Sequence, residues 1–331
     1  MQTDELTITH RTTWKVVVYC AALLVLAFMT EVAAQTMLQF MESRVNPLAQ
    51  IWPWTWESRI WFHAIRPSGA ILIVVPVLLW EASSAGYGRS SLKRLLAPSP
   101  SVKVDLFYLF TYVSNLKTIF GVLFSLGLGQ LLYFWLNQRF SFALLSGQSF
   151  LLSLFVLTIV NTFLLYWIHR ILHMGLFWPI HKVHHSATEL IMITNFRNHP
   201  LTLLIEMTFY GVSAALLGVR SEVEVSYLIL NGVYQLWAHS VIDWNLRSKR
   251  LGFIQDWVLL ASEEHRLHHS KDPAHWNRNF GSVPLWDKLF GTWLDSRGIS
   301  SYRVGLDDEN DQDMLGSMRG FFVIMKRFLR L

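Results

Sequence analysis

From Phe140 to Ile168 the chain runs without a charged residue, and His169 follows at once. A hydrocarbon core about 30 Å thick is crossed by roughly 20 mostly apolar helical residues, so this run is long enough for a span and an outer loop. Val16–Thr30 is also uncharged, and in Thr118–Gln138 only Tyr133 is ionisable. Ser68–Trp80 contains Pro76, Leu201–Val219 carries Glu206, and Val225–Ile242 carries His239; these bring the expected spans to six. Composition agrees, because 52% hydrophobic and 15% charged residues leave too little polar surface for a soluble globule of this length.

Six spans place both termini on one side, and basic residues say which. The outer segments would hold Arg44, Arg59, Arg66, Arg139 and Arg220, five of 28 Lys and Arg, so the termini are expected in the cytoplasm. The short loop with Arg89, Lys93, Arg94, Lys103 and Lys117 gives the same orientation. The net charge of +5 is then a consequence of topology, and nucleic acid is not an expected partner because the basic residues border apolar spans. Cys20 is the single cysteine, so no intrachain disulfide exists. Trp52, Trp54, Trp56 and Trp61 suit the headgroup level of the outer face. The expected division is N-terminal hairpins and a basic loop over 1–149, a catalytic segment over 150–298, and an acidic linker with an amphipathic basic helix over 299–331. The expected fold is all-α, a polytopic membrane helical bundle of about six spans with a histidine-rich helical cap on the cytoplasmic side. The expected location is an integral, multi-pass position in a bacterial inner membrane.

Eleven of the 13 histidines fall after residue 150, and nine of them form a pattern: His169 and His173, then His181, His184 and His185, later His239, then His265, His268 and His269. Residues three and four apart share a helix face, so the first pair points both rings one way and each H-x-x-H-H group aims at least two. Every group lies at or beyond the expected cytoplasmic end of a span, which brings distant segments to one depth. Four ligands satisfy a structural zinc and three plus water a catalytic one, so nine imidazoles imply two metal ions. Imidazole alone does not choose among iron, zinc, copper and nickel. The chain has no H-E-x-x-H protease signature and no carboxylate-rich set of a soluble di-iron bundle.

These boxes resemble those of the fatty acid hydroxylase and sterol desaturase superfamily of integral-membrane oxygenases. The resemblance covers about 150–298 and rests on HRILH at 169–173, HKVHH at 181–185, NFRNHPL at 195–201, WAHS at 237–240, HRLHHS at 265–270 and RNFGSVPLWDKLFGTW at 278–293. It implies a non-haem centre of two Fe ions held by the nine histidines, with zinc able to replace iron in a purified sample. It also implies O2 as cosubstrate, a lipid substrate from the bilayer, and electrons from a separate carrier of cytochrome b5, ferredoxin or reductase type. Hydroxylation and desaturation both remain open, as do a sterol or a polar lipid headgroup in place of an acyl chain. Some members carry a further histidine four residues after the one matching His239, where this chain has Asp243; a tenth ligand is therefore open among Asp243, His199, water and none.

A histidine-rich metal transporter is the reading from another class, and clustering at one membrane face rather than along the spans speaks against it. Of the remaining residues, His275 is expected at the surface, Asn279 and Gly281 in a turn, and Glu206 near the interface beside a base such as Arg197. Trp286-Asp287 and Phe290–Trp293 are expected to close the metal site from below or to pack as an ordinary aromatic loop.

Overall fold

The computed structural model describes residues 67–114, 139, 142–242, 249–299 and 301–306. The expected spans at 16–30 and 118–138, the tryptophan cluster at 52–61, Asp243, the acidic run and the C-terminal helix lie outside the described residues. Among the described residues the regular structure is helical, with one isolated antiparallel bridge between Ser270 and Val304.

α1 (Pro67–Ala85) carries Pro76 inside it and stops before Gly86, whose φ of 81° leaves the helical region. α2 (Ser91–Leu96) and α3 (Pro100–Val113) start at Ser90 and Ser99, whose hydroxyls accept from the amides of Lys93 and Val102. Caps of this kind contribute about 1 kcal/mol each. In the long uncharged run, Ser149 caps α4 (Phe150–Leu172) by accepting from the Leu152 amide, so the helix begins ten residues into the run. The residues before it turn back onto the end of α6 (Pro200–Leu217), where the amides of Phe142 and Leu145 donate to the carbonyls of Leu216 and Leu217. Gly218 closes α6 at φ 68°, and a Cβ there would lie 2.6 Å from Ala143 Cα, so no larger residue fits.

Between α4 and α6 lie α5 (Trp178–His185) and a 3-10 turn, Met192–Phe196; beyond α6 come α7 (Ser221–Ala238), α8 (Lys249–Trp257), α9 (Ser262–His268) and α10 (Pro284–Leu289). α4 packs on α6 and α7 through Leu157, Leu165, Tyr210, Ala214, Val223 and Tyr227. α1 and α3 pack on the 3-10 turn and α7 through Val74, Leu109, Met192 and Leu236. α4 and α6 are long and apolar enough to cross a membrane, with mean hydropathies of 2.1 and 1.5. The half of α4 away from His169 is also exposed, Leu151 by 75% and Phe155 by 65%, a surface suited to lipid rather than water.

Two buried polar staples hold the loops at the histidine-rich end. Glu81 of α1 is fully buried and accepts from the Ser91 amide and hydroxyl and from the Val241 amide, fixing the chain just beyond α7. Arg197 donates to Asp105 of α3 at 3.2 Å and to the Ser186 hydroxyl at 3.0 Å, while Thr194 donates to the other Asp105 oxygen. Burial raises the Asp105 carboxyl to about 6 and Arg197 opposes that shift. The expected pairing of Glu206 with Arg197 is replaced: Arg197 is committed to Asp105 because the loop folds back on α3, and Glu206 faces a cavity.

Candidate metal centre

The nine histidines converge as two groups, His169, His173, His181, His185 and His268, and His184, His239, His265 and His269. Within each group one nitrogen per ring lies within 4.8 Å of every other. Helical spacing explains the partition. In α5, His181 and His185 are one turn apart and enter the first group, while His184, three residues on from His181, points to the second. At α9 the assignment is exchanged: His265 and His269 enter the second group and His268 the first. Each H-x-x-H-H segment thus bridges both groups. They share a wall, where the His185 and His269 rings stack with centroids 4.4 Å apart.

Hydrogen bonding fixes which nitrogen faces inward. His169 Nδ1 lies 2.8 Å from the Phe280 carbonyl, His268 Nδ1 lies 2.6 Å from the Arg278 carbonyl, and His239 Nδ1 lies 2.8 Å from the Gln235 carbonyl. A carbonyl only accepts, so each Nδ1 carries the proton and each Nε2 of a neutral ring presents a lone pair. Yet His268 Nε2 and His169 Nε2 are 3.0 Å apart. Two acceptors cannot hydrogen-bond to each other; a shared cation relieves the contact. Nitrogens about 2.1 Å from one ion are about 3.0 Å apart at right angles and about 3.4 Å apart in a tetrahedron. The remaining Nε2 pairs fall in that range: His173 with His268 at 3.2 Å, His184 with His239 at 3.2 Å, His239 with His265 at 3.1 Å and His265 with His269 at 3.3 Å.

Burial keeps the rings neutral. His181, His184, His185, His265, His268 and His269 are buried, and desolvation, reinforced by neighbouring histidines, holds each well below its usual value. His181 Nδ1 and Nε2 and His185 Nε2 are buried with no hydrogen-bond partner among the described residues, an arrangement that costs free energy unless an ion is bound. The donor set fits two divalent metals that accept imidazole.

The loop 278–292 supplies the carbonyls. Both carboxylate oxygens of Asp287 accept, one from the Phe280 amide and the other from the Gly281 amide, at 2.8 Å each, and Thr292 donates to Oδ1 at 2.7 Å. Burial pushes Asp287 up to about 6 and these donors oppose it. Gly281 is required by the close approach, since a Cβ there would lie 2.9 Å from Asp287 Oδ2 and from the Val283 carbonyl. Asn279, at φ 54°, bonds Glu264 and Leu294 through its amide, which makes the expected turn. Trp286 donates to Thr162 of α4, tying the loop to that helix. The 286–293 segment thus packs as an aromatic loop on α4, Trp286 against Phe163 and Phe290 against Tyr166 and Trp167, while Phe280 is the ring that lies against His169, His173 and His268.

Residues 154–292 match the family model described as fatty acid hydroxylase. That range contains all nine converging histidines. This stretch is similar to proteins of the fatty acid hydroxylase and sterol desaturase superfamily. An alkylglycerol monooxygenase of Danio rerio is 29% identical over 39% of this chain and 27% of its own. An ornithine lipid hydroxylase of Rhizobium tropici is 30% identical over 45% of this chain and 44% of its own. A putative Delta(7)-sterol-C5(6)-desaturase of Arabidopsis thaliana is 24% identical over 40% and 44%. The chain spans less than half the length of each of these relatives. No solved structure matches.

Within residues 154–292, His199 lies outside both groups. It is fully buried and caps α6, its Nδ1 accepting from the Leu201 amide at 3.2 Å. His275, expected at the surface, is buried instead, because its Nδ1 meets the Ser270 hydroxyl at 2.9 Å. The Phe280 and Arg278 carbonyls went unseen in the sequence, since a backbone group leaves no residue signature.

Proposed function

We propose that the chain is an integral-membrane oxidoreductase, a non-haem di-iron oxygenase that hydroxylates or desaturates a lipid with O2. The facing Nε2 lone pairs in two adjoining histidine groups carry this reading. His169, His173, His181, His185 and His268 would hold one iron, and His184, His239, His265 and His269 the other. When bound, the metals supply oxygen activation and hydrogen abstraction from an unactivated carbon. The chain's own residues keep the imidazoles neutral, fix their tautomers through the Phe280, Arg278 and Gln235 carbonyls, and exclude water. Hydroxylation balances as R–H with O2, two electrons and two protons, giving R–OH and water; desaturation gives an alkene and two waters. The electrons come from a separate carrier of cytochrome b5, ferredoxin or reductase type.

The relatives named as acting on alkylglycerols, ornithine lipids and sterols support a lipid substrate. The apolar α4 and α6 support a membrane position, for which the six-span topology with cytoplasmic histidines and a bacterial inner-membrane location are the proposed arrangement. The division into 1–149, 150–298 and 299–331 is retained with it. His184→Ala and His268→Ala are expected to lower bound iron and reduce turnover to background, while His10→Ala and His63→Ala leave both intact. Equal effects from both pairs would falsify the assignment.

A further inference from the structure

Away from the metal centre, α8 and α10 present a continuous apolar face. On α8, Phe253, Ile254 and Trp257 share one side of the helix and are exposed, Phe253 by 61%, and Val258 extends that side past the helix end. Asp256 leaves this face and accepts from Arg297 at 3.0 Å. Leu285 and Leu289, one turn apart on α10, are exposed as well, Leu289 by 64%. Lys288 joins the two helices, its ammonium 4.1 Å from the centre of the Trp257 ring and 4.9 Å from that of Trp293. None of these residues takes part in either histidine group.

What covers this face follows from where it is anchored. Phe155, Ile159 and Phe163 recur every four residues on α4 and form one stripe. Phe155 and Ile159 are exposed on the helix surface suited to lipid, while Phe163 takes the Trp286 ring of α10 at 5.2 Å and the Phe290 ring at 6.3 Å. By helical rise Phe163 stands about 9 Å short of His169, still inside the charge-free run. α10 is therefore docked on the flank of an apolar helix and not beyond its end, and its exposed leucines continue a lipid-facing stripe. Trp257, Trp293 and Lys288 match the border of a bilayer, where indoles sit at the headgroup level and a cation rides on an apolar stem. Resting on the reading that α4 crosses the membrane, we propose that α8 and α10 are seated in the bilayer, with Phe253, Ile254, Leu285 and Leu289 among the acyl chains and Lys288 at the phosphates. The loop that orients His169 and His268 is then supported by lipid on one side. A redox carrier is the poorer occupant, since transient docking uses small surfaces steered by charge, whereas these positions are aliphatic and aromatic.

The test maps thiol access in the purified full chain held in phosphatidylcholine nanodiscs, which are open to water on both faces. Phe253→Cys, Leu289→Cys, Phe155→Cys and Ala274→Cys are made singly in a Cys20→Ser background and treated with a charged maleimide. Ala274, exposed in the loop after the last histidine box, is the water reference, and Phe155 on α4 is the membrane reference. Phe253→Cys and Leu289→Cys are expected to react about tenfold more slowly than Ala274→Cys, as Phe155→Cys does, because an apolar layer disfavours the reacting thiolate. All four should react alike once denatured in dodecyl sulfate, and iron content should be unchanged, since none of the four positions belongs to a histidine group. Free reaction at 253 and 289 with Phe155→Cys protected overturns the inference and leaves α4 in the membrane; free reaction at all four removes both. Protection seen in native membranes but lost in nanodiscs would assign the face to a protein partner and overturn the proposal as well.

Discussion

The two histidine groups share both H-x-x-H-H boxes but are braced in different ways. The first is held from a distance: its His169 and His268 rings are oriented by carbonyls of residues 278 and 280, and that loop is pinned by Asp287. The second is held locally, with His239 donating to Gln235 one turn earlier in its own helix and Glu81 fixing Val241 just beyond. One group depends on a loop folded back across more than a hundred residues, the other on the end of a helix. Damage to the loop should therefore separate the two metals.

Asp287→Ala probes that difference with the largest expected effect. Loss of an outer partner to a metal ligand lowers affinity about 10- to 100-fold, so iron content should fall toward half as the first group empties and the second stays loaded. Equal loss from both groups would show that they are not independently braced. Glu81→Gln tests the other side: its carboxylate receives three donors in a fully buried place, and removing the charge is expected to cost about 1–3 kcal/mol of stability. Thermal unfolding in detergent measures this, and an unchanged midpoint would contradict the bracing. The smallest effect is expected at His199→Asn, where asparagine keeps an N-cap but leaves part of a fully buried site unfilled, at a cost of about 1 kcal/mol. Iron content separates the roles, since loss of metal in this variant would make His199 a ligand rather than a cap.

The convergence of the histidines was legible in the sequence because the relation is local: spacings of three and four fix directions on a helix whatever the rest of the chain does. Their division into groups of five and four was not, since exchanging His184 and His268 between groups depends on how α5 and α9 face each other. Helix existence was readable from apolar length at α4 and α6, but their ends were set by Ser149 and Gly218 rather than by hydropathy. Long-range polar partners were hidden. Arg197 had several carboxylates within reach on paper and takes Asp105, 92 positions earlier, because the 3-10 turn packs on α3. His275 looked like a loop residue until Ser270, five residues before it, was seen to draw it inward.

Metal analysis of the full chain, purified and reconstituted with ferrous iron, tests the central claim most directly. Two irons per polypeptide are expected, with His268→Ala and His184→Ala each reducing that number. A single iron, or two that survive both substitutions, would contradict a pair of metals held by these nine imidazoles.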